Sequence, residues 1–211
     1  MSKLATPLMK TLLCAALLSN LAGCVGVVVG GAVASAVATA DRRTLGAQAD
    51  DKAISLKADL RVPKLTGDHG HVNANSYNRK VLLTGEVKDE AMKEAVERDV
   101  RAIDGVISVI NELEIAGPAS YTSRTSDAYI TGKVKAGLVD MKTISATSFK
   151  VVTERGTVYL MGRVTQREGQ VAADVARGVS GVQKVVKIFE YITDEELKAL
   201  APAAGSSNVN L

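Results

Sequence analysis

Few residues in this chain could do chemistry, and their spacing narrows the choice further. The two histidines stand together as His69-Gly70-His71, a pair of imidazoles without the third and fourth ligands that a metal site wants, so an exposed loop pair is expected. The carboxylates Asp50, Asp51 and Asp127 sit where helix caps belong rather than as a general acid and base. No Ser/His/Asp set, phosphate-binding glycine loop or cysteine nucleophile can be assembled, so neither a catalytic site nor a cofactor is expected. What remains is surface chemistry. Tyr129 and Lys133 are four residues apart, which on a helix puts them in one stripe with Ala136, and Gly132 lies beside it. Lys135, Arg124 and Lys142 widen the basic rim. A phospholipid interface suits this arrangement, because the ring enters the headgroup boundary and the ammonium meets phosphate. The alternative is that Tyr129 covers the edge of a small core and Lys133 is simply solvated.

The cysteines carry a different message. Met1 to Gly23 has a basic start at Lys3 and Lys10 followed by the apolar run Thr11 to Leu21, the pattern of a secretory signal. Leu21-Ala22-Gly23-Cys24 resembles the lipobox of bacterial lipoproteins, in which the cysteine becomes both the new N-terminus and the lipid attachment point. The alternative is an uncleaved anchor, since apolar character continues to Ala38 and about 20 such residues span a bilayer; Asn20 and the glycines weigh against it. Cys14 would leave with the leader and Cys24 would be acylated, so no disulfide is expected. By resemblance to lipoprotein sorting, Val25 is not the aspartate that retains lipoproteins at the inner membrane, which implies the outer membrane, facing the periplasm. Several acyl chains would anchor it firmly.

Composition bounds the rest. The leader holds two of the 26 basic residues, leaving 24 against 23 acidic ones. That near-neutrality argues against a nucleic-acid-binding surface, which needs a strong basic excess. With no tryptophan and 3% aromatics, the cores must be built from Val, Leu, Ile and Ala, which leaves little room for a deep ligand cavity.

These cores are two, because the chain repeats itself. Val81-Leu82-Leu83-Thr84-Gly85-Glu86-Val87 returns as Val158-Tyr159-Leu160-Met161-Gly162-Arg163-Val164. Around each copy the periodicities predict the order α-β-β-α-β. In the first module a helix carries Ile54, Ala58 and Val62, with Leu56 and Leu60 beside them, capped by Asp50 or Asp51 and stopped by Pro63. A hairpin of Val72 to Tyr77 and Lys80 to Val87 follows, then an amphipathic helix from Asp89 to Ile103 and a strand alternating at Ile107, Val109, Leu113 and Ile115. The second module runs from a helix at Asp127 to Val139, through a hairpin of Phe149 to Glu154 with Thr157 to Val164, to a helix with a buried stripe Val171, Val175, Val179 and a strand from Lys184 to Ile192. Thr193 and Glu196 form a capping box for a short last helix. Gly85 and Gly162 are expected to permit close helix packing or a bulge. The segments are read as a leader at 1–23, a lipidated tether at 24–49, modules at 50–116 and 126–192, a linker at 117–125 and a tail at 193–211.

The αββαβ order, the V-x-L-x-G-x-V strand and the later Gly-Val turns at Gly105-Val106 and Gly181-Val182 resemble the BON domain, in both copies. The resemblance implies an α+β fold of two tandem BON domains, each a small mixed sheet with two helices on one face. Together with the lipobox it resembles outer-membrane BON lipoproteins of Gram-negative bacteria. In these, the first helix of the second domain is implied to bind anionic phospholipids such as phosphatidylglycerol or cardiolipin. It also implies enrichment at division sites, a role in envelope integrity and an influence on the β-barrel assembly machinery. The family pattern implies tryptophan where this chain has Tyr129; the matching place in module one is Ala53. A protein-interaction scaffold without direct lipid recognition is the competing reading.

Overall fold

Each module closes around a two-residue hairpin turn held by an aspartate. The computed structural model describes residues 41–117 and 121–200; Cys24, the leader, the tether to residue 40 and the tail from residue 201 lie outside the described residues. Module one comprises helix α1 (Leu45–Thr66), strands β1 (His71–Tyr77) and β2 (Lys80–Val87), helix α2 (Glu90–Arg101) and the short strands β3 (Ser108–Asn111) and β4 (Glu114–Ile115). Module two comprises α3 (Tyr121–Asp140), β5 (Phe149–Glu154), β6 (Thr157–Val164), α4 (Gln166–Arg177) and β7 (Lys184–Tyr191), and α5 (Asp194–Leu200) follows it. Both sheets are mixed: β1 is antiparallel to β2 and β5 to β6, whereas β3 and β4 run parallel to β2 and β7 runs parallel to β6.

The turns explain the aspartates. Asn78 and Arg79 both have positive φ, as do Arg155 and Gly156, the geometry of a two-residue turn whose twist matches the flanking strands. Such a turn leaves its amides pointing at the first helix. The Asp51 carboxylate accepts from Asn78 N and Arg79 N at 2.7 Å each, and Asp127 accepts from Arg155 N at 2.8 Å and Gly156 N at 2.9 Å. Asp51 and Asp127 are therefore buried turn anchors inside helices, not caps. The cap of α1 is Thr44, whose side chain accepts from Ala47 N. The helix thus starts before the expected tether boundary and carries Pro63 inside its last turn. Likewise, α3 begins at Tyr121, within the stretch read as linker.

Period-two alternation sorts each central strand into two buried faces. Val81, Leu83 and Val87 meet Ile54, Ala58 and Val62 of α1 and Val96 and Val100 of α2. Val158, Leu160 and Val164 meet Ile130, Val134 and Leu138 of α3. In α4 the buried stripe is Gly169, Ala172, Ala173 and Ala176 rather than Val171, Val175 and Val179, which are half-buried. Small residues let this helix lie close to the sheet: a Cβ on Gly169 would come within 3.0 Å of the Phe189 ring. The expected closing strand of module one also breaks in two, burying Leu113 and leaving Ile107 and Ile115 exposed. Gly85, at φ 109°, lets the His71 backbone approach, and Gly162 does the same for Ser148. For Gly85 the partner is strand β1 rather than a helix, and for Gly162 it is the end of the short 3-10 turn that leads into β5.

The other faces pack on each other. Leu82 and Tyr77 of one sheet join Tyr159 and Met161 of the other in a third apolar cluster, so the order of layers is helices, sheet, sheet, helices. Polar pairs seal this contact: Asn73 donates to Glu154 at 3.0 Å, Asn78 to Glu190 at 2.7 Å, and Arg155 pairs with the fully buried Glu86 at 3.4 Å. Ahead of α1, Arg42 grips Glu168 with two 2.7 Å bonds and donates to Arg163 O at 3.0 Å. Arg43 bonds Asp51 at 2.7 Å and lies 4.3 Å over the Tyr77 ring. Arg42, within the stretch read as tether, is therefore a clasp between modules, and Arg43 braces the first module.

Candidate functional site

The orientation of α3 is fixed by what its inner face must do. Asp127 holds the hairpin turn, Ile130, Val134 and Leu138 are buried in the core, and Gly137 admits Val175 of α4, since a Cβ there would sit 2.9 Å from it. Thr131 adds a 2.7 Å bond to Thr153 of β5. At 100° per residue the opposite side must then carry Tyr129, Gly132, Ala136 and Val139. All four are exposed, Tyr129 and Val139 each at 68%.

Lys133 is half-buried because it folds along the tyrosine: its Nζ lies 5.4 Å from the Tyr129 ring centroid. This is cation–π geometry, worth about 0.5–1 kcal/mol at an exposed site. It parks an ammonium at the level of the ring without neutralising it. Lys135 is exposed on the other flank of the helix and Lys142 is exposed beyond its end. Arg124 is half-buried and already engaged in interactions of its own, so it stands apart from the group formed by Tyr129, Gly132, Lys133, Lys135 and Ala136. Val139 escaped the sequence reading, although its position three residues after Ala136 was the signal for it. The corresponding face of α1 has the small Ala53 in place of a ring. It exposes Leu56 and Leu60, each at 61%, which the apolar spacing had placed beside the core.

Between α1 and the β5 edge runs a cleft of about 520 Å³, lined from one side by Lys52 and Leu56 and from the other by Lys135, Phe149 and Lys150. Burial lowers the Lys150 ammonium from its ordinary pKa; Asp51 works against this shift, while the like charges of Arg43 and Lys135 add to it. No helix among the described residues is long and apolar enough to cross a membrane, and no three His, Cys, Asp or Glu residues among them gather into a metal-binding group.

Known proteins agree with this architecture. The BON domain model matches twice, at residues 53–117 and 126–193. The outer membrane lipoprotein DolP of Haemophilus influenzae is 38% identical over 174 residues, spanning 82% of this chain and 90% of that protein. A 21 kDa hemolysin of Actinobacillus pleuropneumoniae is 30% identical over 72% of this chain and 79% of its own length. Osmotically-inducible protein Y of Escherichia coli K12 is 28% identical over 64% and 70%. The duplicated αββαβ module, the two family matches and the near full-length likeness to DolP place this chain in the BON-domain family, as a tandem two-domain member.

Proposed function

We propose that this protein is a non-enzymatic lipoprotein of the outer membrane whose second BON domain recognises anionic phospholipid through α3. The observation that carries this reading is the outward Tyr129 with Lys133 across its ring, at the position where the first module has Ala53. An amphipathic ring suits the headgroup boundary, and each lysine near an anionic surface contributes about 1 kcal/mol. Alone such a contact is weak. Acyl chains on Cys24 would turn it into an intramolecular event with a high effective concentration, so the anchor supplies residence and the helix discrimination. The likeness to an outer membrane lipoprotein and the lipobox-like Leu21-Ala22-Gly23-Cys24 support the location. Enrichment at division sites and support of envelope integrity follow from recognising particular lipids there.

Flotation of the mature chain carrying Cys24→Ser, which cannot be acylated, tests the lipid step. The protein should rise with vesicles containing phosphatidylglycerol or cardiolipin, not with pure phosphatidylcholine, and should release as salt rises. Tyr129→Ala should weaken binding about tenfold, for roughly 1–2 kcal/mol of ring burial, with unchanged folding. No flotation, or full binding by Tyr129→Ala, would favour the scaffold reading, in which the paired domains dock on the β-barrel assembly machinery.

A further inference from the structure

The cleft between α1 and β5 gathers three lysines with little anionic charge to match them, and one of them, Lys150, is drawn partly out of water. Lys150 is half-buried, and among the described residues its ammonium has one hydrogen bond, to Ser76 O at 3.1 Å, and no carboxylate within ion-pair distance. Lys135 and Lys52 stand at the same cleft, also without an ion pair among the described residues. Two carboxylates line it, Asp51 and Asp59. Asp51 is occupied by Ser76 Oγ at 2.5 Å and by Asn78 N, Arg79 N and Arg43 Nη1 at 2.7 Å each, which leaves Asp59 against three lysines. Apolar side chains line both sides, Leu56 on one and Phe149 and Val151 on the other. A half-buried ammonium with spare donors beside like charges is stabilised by an incoming anion. Apolar side chains beside it suit an anion that carries hydrocarbon. The larger hollow of about 660 Å³ beside the linker lacks this character: its arginine, Arg155, is already paired with Glu86 and Glu114.

We infer that this intermodule cleft is a headgroup pocket, in which the phosphodiester of one anionic phospholipid is held by Lys150 and Lys135, with Lys52 at the rim and Leu56 against the start of the acyl chain. The inference rests on the lipid-recognition reading and gives it a second part. Lys135 belongs to α3, so the Tyr129 face and the pocket share an edge: Tyr129 would engage the bilayer surface while the cleft reads a single lipid. Both modules would then be needed for recognition, because α1 and β1 supply one side of the pocket.

Monomeric dihexanoyl phosphatidylglycerol tests the pocket without a bilayer, so failure here and failure of vesicle flotation are separate results. Titrated into the mature Cys24→Ser chain, it should shift the amide signals of Ser55, Ser76 and Lys150. Dihexanoyl phosphatidylcholine should bind more weakly and inorganic phosphate far more weakly. Lys150→Met should reduce affinity about tenfold, the usual size for losing one charge-assisted bond, and Lys150→Arg should restore most of it. If Lys150→Met lowers the melting temperature, the exposed Lys135→Met gives the same comparison without loss of fold. Shifts confined to Tyr129 through Val139 would overturn the pocket, as would equal responses to phosphate or phosphatidylcholine, or unchanged affinity in both lysine variants.

Discussion

Replacing the two turn anchors by their neutral isosteres should produce unequal losses, and the structure sets the ratio. Asp51→Asn and Asp127→Asn keep shape, so packing cannot account for the outcome. Each replaces one acceptor oxygen by an NH2 group that faces a backbone donor. Asp51 receives four bonds, from Ser76 Oγ, Asn78 N, Arg79 N and Arg43 Nη1, whereas Asp127 receives those of Arg155 N and Gly156 N. Hydrogen bonds to a charged group are worth roughly 1.5–3 kcal/mol when one partner is lost, and they do not add fully within one network. About 2 kcal/mol is therefore expected for Asp127→Asn and about 4 kcal/mol for Asp51→Asn. In a unit of this size each kcal/mol corresponds to roughly 2–4 °C in melting temperature. Urea denaturation and thermal melts of both variants measure this directly. Equal losses, a reversed order, or a change below about 0.5 kcal/mol in either would refute the assignment of these carboxylates to the turns and return them to ordinary capping.

Acid should stabilise and then destabilise this protein, through two buried glutamates with opposite shifts. Burial, with the charges of Glu86 and Asp127 adding to it, raises Glu154 above the ordinary value of 4.5 in spite of its bond from Asn73. Its folded form therefore holds the proton more tightly than the unfolded chain, and stability rises as pH falls toward 4.5. Burial also pushes Glu168 upward, but the Arg42 guanidinium and the Thr165 amide outweigh it and hold the carboxyl below that value. Stability from this pair is present above 4.5 and is lost as pH falls through the folded pKa. Glu154→Gln should raise the melting temperature at pH 7 and abolish the first rise; a lower melting temperature at pH 7 would contradict this account. Gly85→Ala should prevent folding or cost more than about 3 kcal/mol, because its Cβ would fall on the His71 carbonyl at a positive φ. Gly132→Ala, with open space around it, should instead gain about 0.5–1 kcal/mol of helix stability; comparable denaturation midpoints for the two would refute the packing argument.

Periodicity carried the repeat, the αββαβ order and the exposed stripe of Tyr129, because those depend on near neighbours in sequence. Long-range partners had no such signal. Asp51 and Asp127 look like caps until the turn amides about 27 residues onward come into reach, although the shared spacing Asp51 to Ile54 and Asp127 to Ile130 hinted at a common duty. Arg42 falls in the stretch read as tether because its partner Glu168 is 126 residues away. The stripe of α4 was misplaced toward its valines because small residues weigh little on a hydrophobicity scale, yet they are what a close helix–sheet contact requires. The packing of one sheet on the other was visible only as apolar residues in the alternate positions of the central strands, Leu82, Tyr159 and Met161.

That packing restricts where function can lie. Each sheet has one face buried under helices and the other against its partner, so a ligand is left the outer sides of the helices and the edges of the sheets. The outer sides of α2 and α4 are charged and largely self-paired, with Arg98 on Glu94, Arg101 on Glu97 and Arg177 on Asp174; such pairs are solvated and contribute little to recognition. Of α1 to α4, the first helix of each module turns large apolar side chains outward beside lysines whose charges have no ion-pair partner among the described residues: Leu56 and Leu60 with Lys52 on α1, Tyr129 and Val139 with Lys133 and Lys135 on α3. The modules share the main internal constraints on that helix, the aspartate that holds the turn and the buried stripe, and the outward positions are the ones free to diverge. A ring at Tyr129 opposite a methyl at Ala53 is therefore a difference that folding does not require, and the binding proposed above at a lipid surface would give it a reason to exist.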